Sequence, residues 1–596
     1  MEYICNPVNI NYRYQFNADP RLHGQMQICR EAADPSMICF QGRYYIFASM
    51  TLGVWVSDDL THWENHRLPH ELPLYDYAPD VRVMGDWVYF CASRREENCD
   101  RWRTKDILNG PYEKLEGSFP FWDPNLFIDD DGRAYFYWGC SNITPIWGVE
   151  LDKETMLPLG DKRVLIEGHP FEIGYERIGE DNSQLPASDD EIEAGYRAFI
   201  LRQGVPEAQL PPEVRPLIRG MFSRKPYIEG AWMDKHNGTY YLQYAAPGTQ
   251  YNTYSDGVYV SDHPMGQFRL AKNNPYSYKP GGFLPGAGHG STMRDIRGNW
   301  WHTATMRISV NHDFERRVGI WPAGFDAEGE LFCNQRYGDW PMAAEGDPWR
   351  NPAWMLLSAG KQADASSWIK GHEHGKATEE NAQTWWQAAS NDRKEWLQID
   401  LGKPMFVHAV QINFADDKID IPCPGKIMGG SQARYIEERD LLTQWKLEAS
   451  LDGEAWFVVE DKSSAQTDLS HDLIVREDGF SARYLKLSDL SVPYGQKPCI
   501  SGLRVFGLGQ GEKPSIPVFT AKRTGDLDMT VSITAQADTV GYNILFGERP
   551  DKLYHSYMVF EPGEKRVGAL IRGREYFVRV DAFNECGISE GNCVKL

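Results

Sequence analysis

The sequence predicts an all-β protein: a five-bladed β-propeller followed by two β-sandwiches. Three observations carry this reading. A short pattern recurs five times in the first 340 residues, the stretches after it alternate apolar and polar residues between turns, and 596 residues exceed what a single hydrophobic core serves. The expected domains are residues 1–345, 346–510 and 511–596.

Each copy of the repeat begins with proline or glycine beside a polar residue, runs through an apolar stretch and a glycine turn, and continues as an aromatic or β-branched strand. Asp34-Pro35 opens the copy that turns at Gly42, and Pro79-Asp80 the one that turns at Gly85. Asp123-Pro124, Glu229-Gly230 and His289-Gly290 open the copies that turn at Gly132, Gly238 and Gly298. Segments such as VWVSDDLTHW and VYVSDHPMGQF supply further strands, so four strands per unit are expected. Such units repeated radially make a propeller whose first strands line a central channel. Asp34, Asp80, Asp123, Glu229 and His289 are therefore expected at one axial pocket. Gathered carboxylates repel one another, and a fold keeps them together when they share protons, hold a cation or perform acid–base chemistry. One Asp-Pro pair is ordinary turn punctuation; five starts in phase are not.

The interval between the third and fourth copies is long enough for an insertion at about 165–225. Ser188-Asp189-Asp190-Glu191 is a capping box, and helical spacing continues to a stop at Gly204. The following PEAQLPPEVRPLI reads as a proline-broken loop. The insertion is expected over or beside the pocket mouth, or as a peripheral decoration.

Composition excludes some functions. No run reaches the roughly 18 apolar residues of a membrane-crossing helix. The 84 acidic residues outnumber 62 Lys and Arg for a net charge of −22, which repels nucleic acid and anionic membrane surfaces. The opening MEYICNPVNINYRYQ lacks a basic-then-apolar leader, and 11 cysteines without CxxC spacing read as reduced thiols, so a cytoplasmic protein is expected. Twenty Trp, 30 Tyr and 26 Phe suit both β cores and sugar-stacking clefts.

Asn6-Pro7, Ala33-Asp34-Pro35-Ser36, Ala78-Pro79-Asp80-Val81, Asp123-Pro124-Asn125-Leu126-Phe127, Glu229-Gly230 and Gly288-His289-Gly290, in that order, resemble glycoside hydrolase family 43. The resemblance spans about residues 5–342. It implies an inverting, exo-acting hydrolase that releases terminal arabinofuranosyl or xylosyl units, with galactosyl or galactofuranosyl units as alternatives, from oligosaccharides. By that resemblance Asp34 is the general base, Asp123 orients the acid and raises its pKa, and Glu229 is the general acid. His289 matches a position that often holds an axial calcium or sodium through water; the chemistry needs no other cofactor. The sequence departs from the family pattern at Ala231-Trp232 and at Tyr77, which bears on which sugar is taken. Trp55, Trp122 and Trp232 are candidates to stack on sugar, and Asp80, Arg294 and Arg307 to bind its hydroxyls; each also has an ordinary structural reading. A competing function is a catalytically silent glycan-binding protein.

In 346–510, Trp385-Trp386, Trp396 to Gly402, Ser450-Leu451-Asp452-Gly453 with Trp456, and Arg504-Val505-Phe506-Gly507 resemble a discoidin-type domain of the carbohydrate-binding module family 32 kind. The loop 377–384 carries Glu where that family's calcium loop has Asp. This domain is expected either to bind glycan or to buttress the propeller. The final segment resembles a fibronectin type III domain, with Tyr576 to Phe583 as the strand bearing a tyrosine corner.

Overall fold

The five repeat copies form five four-stranded antiparallel sheets among the described residues of the computed structural model, which are 2–18, 26–94, 97–204, 206–428 and 433–596. Blade one is Ser36–Phe40, Arg43–Phe47, Gly53–Ser57 and Glu64–Arg67; blade two is Tyr77–Met84, Trp87–Ser93, Arg101–Thr104 and Glu113–Lys114. Blade three is Pro124–Ile128, Ala134–Trp138, Ile146–Leu151 and Arg163–Ile166; blade four is Glu229–His236, Thr239–Ala246, Ser255–Ser261 and Arg269–Leu270. Blade five is Gly288–Arg294, Trp300–Arg307, Arg316–Phe325 and Leu331–Cys333. Each first strand packs against the first strand of the next blade, and that of blade five adjoins blade one, so the ring closes.

Polar side chains on the first strands fasten the ring. Ser36 Oγ accepts from Val81 N (3.1 Å), Asp80 from Leu126 N (2.7 Å), Asn125 Oδ1 from Met233 N (2.8 Å), and Ser291 Oγ from Met37 N (3.0 Å). These bonds satisfy buried groups between blades that share no backbone ladder. Tyr3–Ile4 pairs with Met342–Ala343, joining the two ends of the propeller segment. Asn6 serves the same closure: its side chain donates to Ile320 O and Gly338 O and accepts from Ile320 N.

The insertion contains two helices. α1, Asp189–Gln203, has the expected reciprocal capping box between Ser188 and Glu191 and ends at left-handed Gly204 (φ 65°). The segment read as a broken loop instead includes α2, Val214–Phe222. Pro216 lies in its first turn, where a missing N–H loses no helical hydrogen bond.

The second domain is a β-sandwich built around the long strands Leu397–Phe414, His471–Ser491 and Cys499–Leu508, with Trp386, Trp445, Ile399, Leu485 and Val505 in its core. Its connection between Phe414 and Gln444 leaves the sandwich: Arg434–Ile436 adds a third strand to the hairpin Arg13–Asn17 and Gln27–Glu31 beside blade one. The last domain is a two-sheet sandwich of Phe519–Gly525, Asp528–Ile533 and Gly563–Val567 facing a sheet centred on Gly541–Gly547 and Phe577–Asn584. Tyr576 Oη accepts from Ile571 N at 3.1 Å. All eleven cysteines are unpaired, and no helix among the described residues is long and apolar enough to cross a membrane.

Candidate active site

A left-handed residue marks the start of every blade: Asp34 (φ 50°), Ala78 (φ 44°), Asp123 (φ 52°), Gly230 (φ 61°) and His289 (φ 50°). Non-glycine residues rarely adopt this conformation, and each instance costs on the order of 1–3 kcal/mol, supplied by the surrounding packing. The kink turns the chain end of each first strand toward the channel mouth. There a cavity of about 690 Å³ is lined by Asp34, Tyr77, Trp122, Asp123, Cys140, Glu229 and His289, among others. Gly230 is required: a Cβ there would lie 2.7 Å from Cγ of His289.

Asp34 is built to stay ionised. Its Oδ2 accepts from Ser49 Oγ (2.6 Å) and its Oδ1 from Arg316 Nη1 (3.1 Å), with Nδ1 of His289 at 3.4 Å. Burial alone would raise its pKa, but Arg316, His289 and these hydroxyl donors outweigh it and hold the carboxyl below its ordinary value.

Glu229 has the opposite setting. Tyr254 Oη donates to Oε1 (2.6 Å) and Cys140 Sγ to Oε2 (3.2 Å). Burial dominates, with nearby Asp34 adding to it, and its pKa is raised. Ligand atoms of Asp123, Cys140 and Glu229 lie within 4.8 Å of one another. Burial and the adjacent carboxylates push Asp123 up to about 7. The two carboxyl groups thus retain a proton between them near neutrality, while burial keeps Cys140 a thiol.

His289 stands between both sides, with Nδ1 also 3.6 Å from Asp123. Burial opposes its charge, yet Asp34, Asp123, Glu229 and Asp256 together raise its pKa. Asp256 fixes the turn by accepting from the backbone N–H groups of His289 (2.8 Å) and Gly290 (3.1 Å). The side chains here do not by themselves make an oxygen shell for the expected calcium or sodium ion, which at His289 would be held through water. Such ions take a shell of oxygen ligands, whereas the groups here are an imidazole already turned to two carboxylates, a neutral thiol and a proton-sharing pair. Beneath them Arg82 reaches across the channel from blade two to Met233 O of blade four (2.9 Å).

The other expected contacts divide. Trp122 lines the cavity. Asp80 does not: it lies two residues beyond left-handed Ala78, the position of Ser36 and Asn125 in their blades, one layer deeper and bonded to Asn125 and Leu126. Trp55 is fully buried among apolar side chains of blades one and five, its Nε1 donating to Asn11. Trp232 is likewise buried, under the guanidinium of Arg82 at 3.4 Å. Arg294 ends a seven-residue strand that starts at the pocket, which puts it about 20 Å away on the opposite face. Arg307 stands at the rim, bound to Glu180 (2.9 Å) and Gln250 O (2.8 Å), tying the insertion segment to a residue that lines the cavity. Sequence reasoning missed Cys140, Tyr254, Ser49 and Arg316. They lie on second and third strands or just beyond them, outside the repeated blade-start motif.

A second cavity of about 630 Å³ adjoins the first and shares Trp122, Cys140, Tyr227 and Gln250 with it. Its far wall is Leu217, Gly220 and Met221 of α2 and the loop at Ile143, with Trp147 and Lys162 opposite.

Comparison with known proteins agrees with this architecture. Residues 28–176 and 208–331 match the profile described as glycosyl hydrolases family 43, and 376–487 match a NedA-like, galactose-binding domain. The first match omits 177–207, which holds α1. The chain is 27% identical over 270 residues to Xylosidase/arabinosidase 43A of Humicola insolens (43% of this chain, 73% of that protein). It is 28% identical over 272 residues to Xylosidase/arabinosidase of Bacteroides ovatus (40% and 75%). Among solved structures, the GH43 BlXynB protein of Bacillus licheniformis aligns with all of this chain and 91% of its own, at 13% identity and a TM-score of 0.40. The chain thus carries two family likenesses in succession, to glycosyl hydrolases family 43 over residues 28–176 and 208–331 and to a galactose-binding domain over 376–487.

Proposed function

We propose that the protein is an inverting, exo-acting glycosidase that releases terminal arabinofuranosyl or xylosyl residues from oligosaccharides. The observation that carries this reading is the opposed setting of two buried carboxyl groups in one cavity: Arg316 and His289 hold Asp34 below its ordinary pKa despite burial, while burial raises Glu229. In this mechanism Asp34 takes a proton from water as the water attacks the anomeric carbon. Glu229 gives its proton to the departing glycosidic oxygen as the C–O bond breaks, and attack from the opposite face inverts the configuration. Asp123 orients Glu229 and, as a neighbouring carboxylate, raises its pKa. The second cavity opens on the side of Cys140, next to the acid, and receives the leaving group there.

The choice of arabinofuranosyl or xylosyl follows the relatives, which are xylosidase/arabinosidase enzymes, and a galactosyl or galactofuranosyl substrate is the alternative. The Tyr576 hydroxyl bond to Ile571 N supports reading the last sandwich as fibronectin type III-like. The test is release of nitrophenol from α-L-arabinofuranoside, β-D-xylopyranoside, β-D-galactopyranoside and β-D-galactofuranoside, with D34A alongside. Turnover of one sugar that vanishes in D34A supports the reading. Folded protein that binds these sugars or their oligomers without turning any over would establish the silent glycan-binding protein instead.

A further inference from the structure

We propose that Arg434, carried by the second domain, is a positioning residue for the catalytic base, so that the sandwich completes the active site of the propeller. This rests on Asp34 being the base.

Arg434 begins the short strand that the sandwich lends to the hairpin beside blade one, where Asn17, Phe16 and Gln15 pair with Arg434, Tyr435 and Ile436. Its side chain is only 3% exposed. Nη1 donates to Glu31 Oε2 at 2.8 Å and to Gln15; Nη2 donates to the Tyr77 hydroxyl at 2.5 Å. Tyr77 is itself a wall of the catalytic cavity. The other oxygen of Glu31 accepts from Arg316 Nε at 3.0 Å, and Arg316 Nη1 reaches Asp34. The order is therefore Arg434, Glu31, Arg316, Asp34, with alternating charge and every member buried.

Glu31 is shared between two guanidinium groups. With Arg434 in place, Glu31 is neutralised from behind and Arg316 is free to serve Asp34. Without it, the full charge of Glu31 draws on Arg316, and one positive charge leaves the neighbourhood of the base. Burial amplifies both effects, because little solvent screens them.

A separate set of contacts shows the same domain holding the cavity wall. Asn311, which lines the cavity, donates from Nδ2 to Asp416 O (2.8 Å) and accepts at Oδ1 from Lys418 N (3.2 Å). Gln383 donates to Ile308 O at 2.6 Å, at the start of the same wall loop. The second domain thus grips the site from two directions.

The groups facing Asp34 are Arg316 and His289 from blade five, Asp123 and Glu229 from blades three and four, and the hydroxyls of Tyr77 and Tyr254. Around Arg434 they are Glu31, Arg316, Tyr77, Cys29 and His312. Arg434→Met removes the charge behind Glu31 together with the bonds to Tyr77 and Gln15, and Arg434→Lys restores the charge.

The experiment is the pH profile of kcat/KM for the full-length wild type, R434M and R434K. R434M is expected to raise the acid limb by about half to one pH unit, leave the alkaline limb in place and lower kcat more than it raises KM. R434K, which keeps the charge, is expected to return the limb toward wild type. An acid limb unchanged in R434M, with activity lost equally at all pH, overturns the proposal. Absence of wild-type turnover on every glycoside is a failure of the proposed function and is distinct from this outcome. The Asp34 carboxyl is then titrated by NMR in ¹³C-aspartate-labelled wild type and R434M; a raised midpoint in the variant supports the proposal and an identical one overturns it.

Discussion

At the scale of single residues, function follows from how each carboxyl group is surrounded. Asp34 and Glu229 are both buried and both near His289, yet Arg316 and hydroxyl donors outweigh burial at Asp34, whereas burial prevails at Glu229. The sign of the pH dependence follows. Activity falls at low pH as Asp34 takes up a proton, below the ordinary carboxylate range, and at high pH as the Asp123 and Glu229 pair loses its shared proton near 7. A bell-shaped kcat/KM profile with its alkaline limb close to neutrality is expected. Replacing Glu229 by Gln is expected to lower kcat for poor leaving groups by about 10²-fold or more and to abolish the alkaline limb. Retention of that limb in an otherwise active variant excludes Glu229 as the acid. Cys140 donates to the charged form of Glu229; C140A is therefore expected to move the alkaline limb upward, with C140S close to wild type.

At the scale of elements, the repeat does two jobs with adjacent positions. At or just before the left-handed residue of each blade start stands a side chain that lines the pocket (Asp34, Tyr77, Asp123, Glu229, His289), and in four blades the residue two beyond the left-handed one (Ser36, Asp80, Asn125, Ser291) fastens the blade to its neighbour. This is why Asp80 reads in sequence as a sugar-binding pocket residue and is structural in the fold. Gly230→Ala is expected to cost activity by tenfold or more, because it strains a positive φ and drives a methyl group into His289. A kinetic assay beside a thermal melt would separate displacement of His289 from general destabilisation. In the insertion, S188A removes a reciprocal cap and is expected to destabilise α1 by about 1 kcal/mol. Limited proteolysis within 189–203 would report it, with kcat on small aryl glycosides unchanged.

At the scale of the whole molecule, the three domains are not beads on a string. One apolar cluster joins Phe127, Tyr175 and Tyr244 of the propeller side to Met529, Phe546 and Leu570 of the last sandwich. Trp340 packs edge-on against Phe583 at 5.1 Å and also touches Phe506, so a single side chain meets both sandwiches. A buried ion pair crosses one seam, Arg177 with Asp528 (2.7 Å), and at the other Arg504 donates to the carbonyl of Asp339 (2.7 Å), whose carboxylate pairs with Lys279 inside the propeller segment (2.7 Å). Removing one partner of such a pair strands a buried charge. Calorimetry is therefore expected to show one cooperative transition for the full chain. A chain ending at residue 345 is expected to be insoluble or inactive; two resolved transitions, or an active isolated propeller segment, would contradict this coupling.

The five blades, the capped α1 and the three carboxyl groups at the pocket are legible in the sequence because each is written as a local signal: a turn before a strand, a cap before a helix, or a short motif in a fixed order. Only the tertiary structure decided which candidate side chains face the cavity. The pleat and the kinks at blade starts send Asp34 and Asp123 outward to the mouth and Asp80 inward to the next blade, a difference of two residues that periodicity alone does not resolve. Burial removed Trp55 and Trp232 from the site, and strand length removed Arg294. Arg316, Cys140 and Tyr254 bond Asp34 or Glu229, and Arg434 bonds Glu31 behind Arg316, from sequence positions with no shared pattern, Arg434 from 400 residues beyond Asp34. Long-range electrostatic pairing of this kind is fixed by packing geometry and leaves no spacing in the chain from which it could be read.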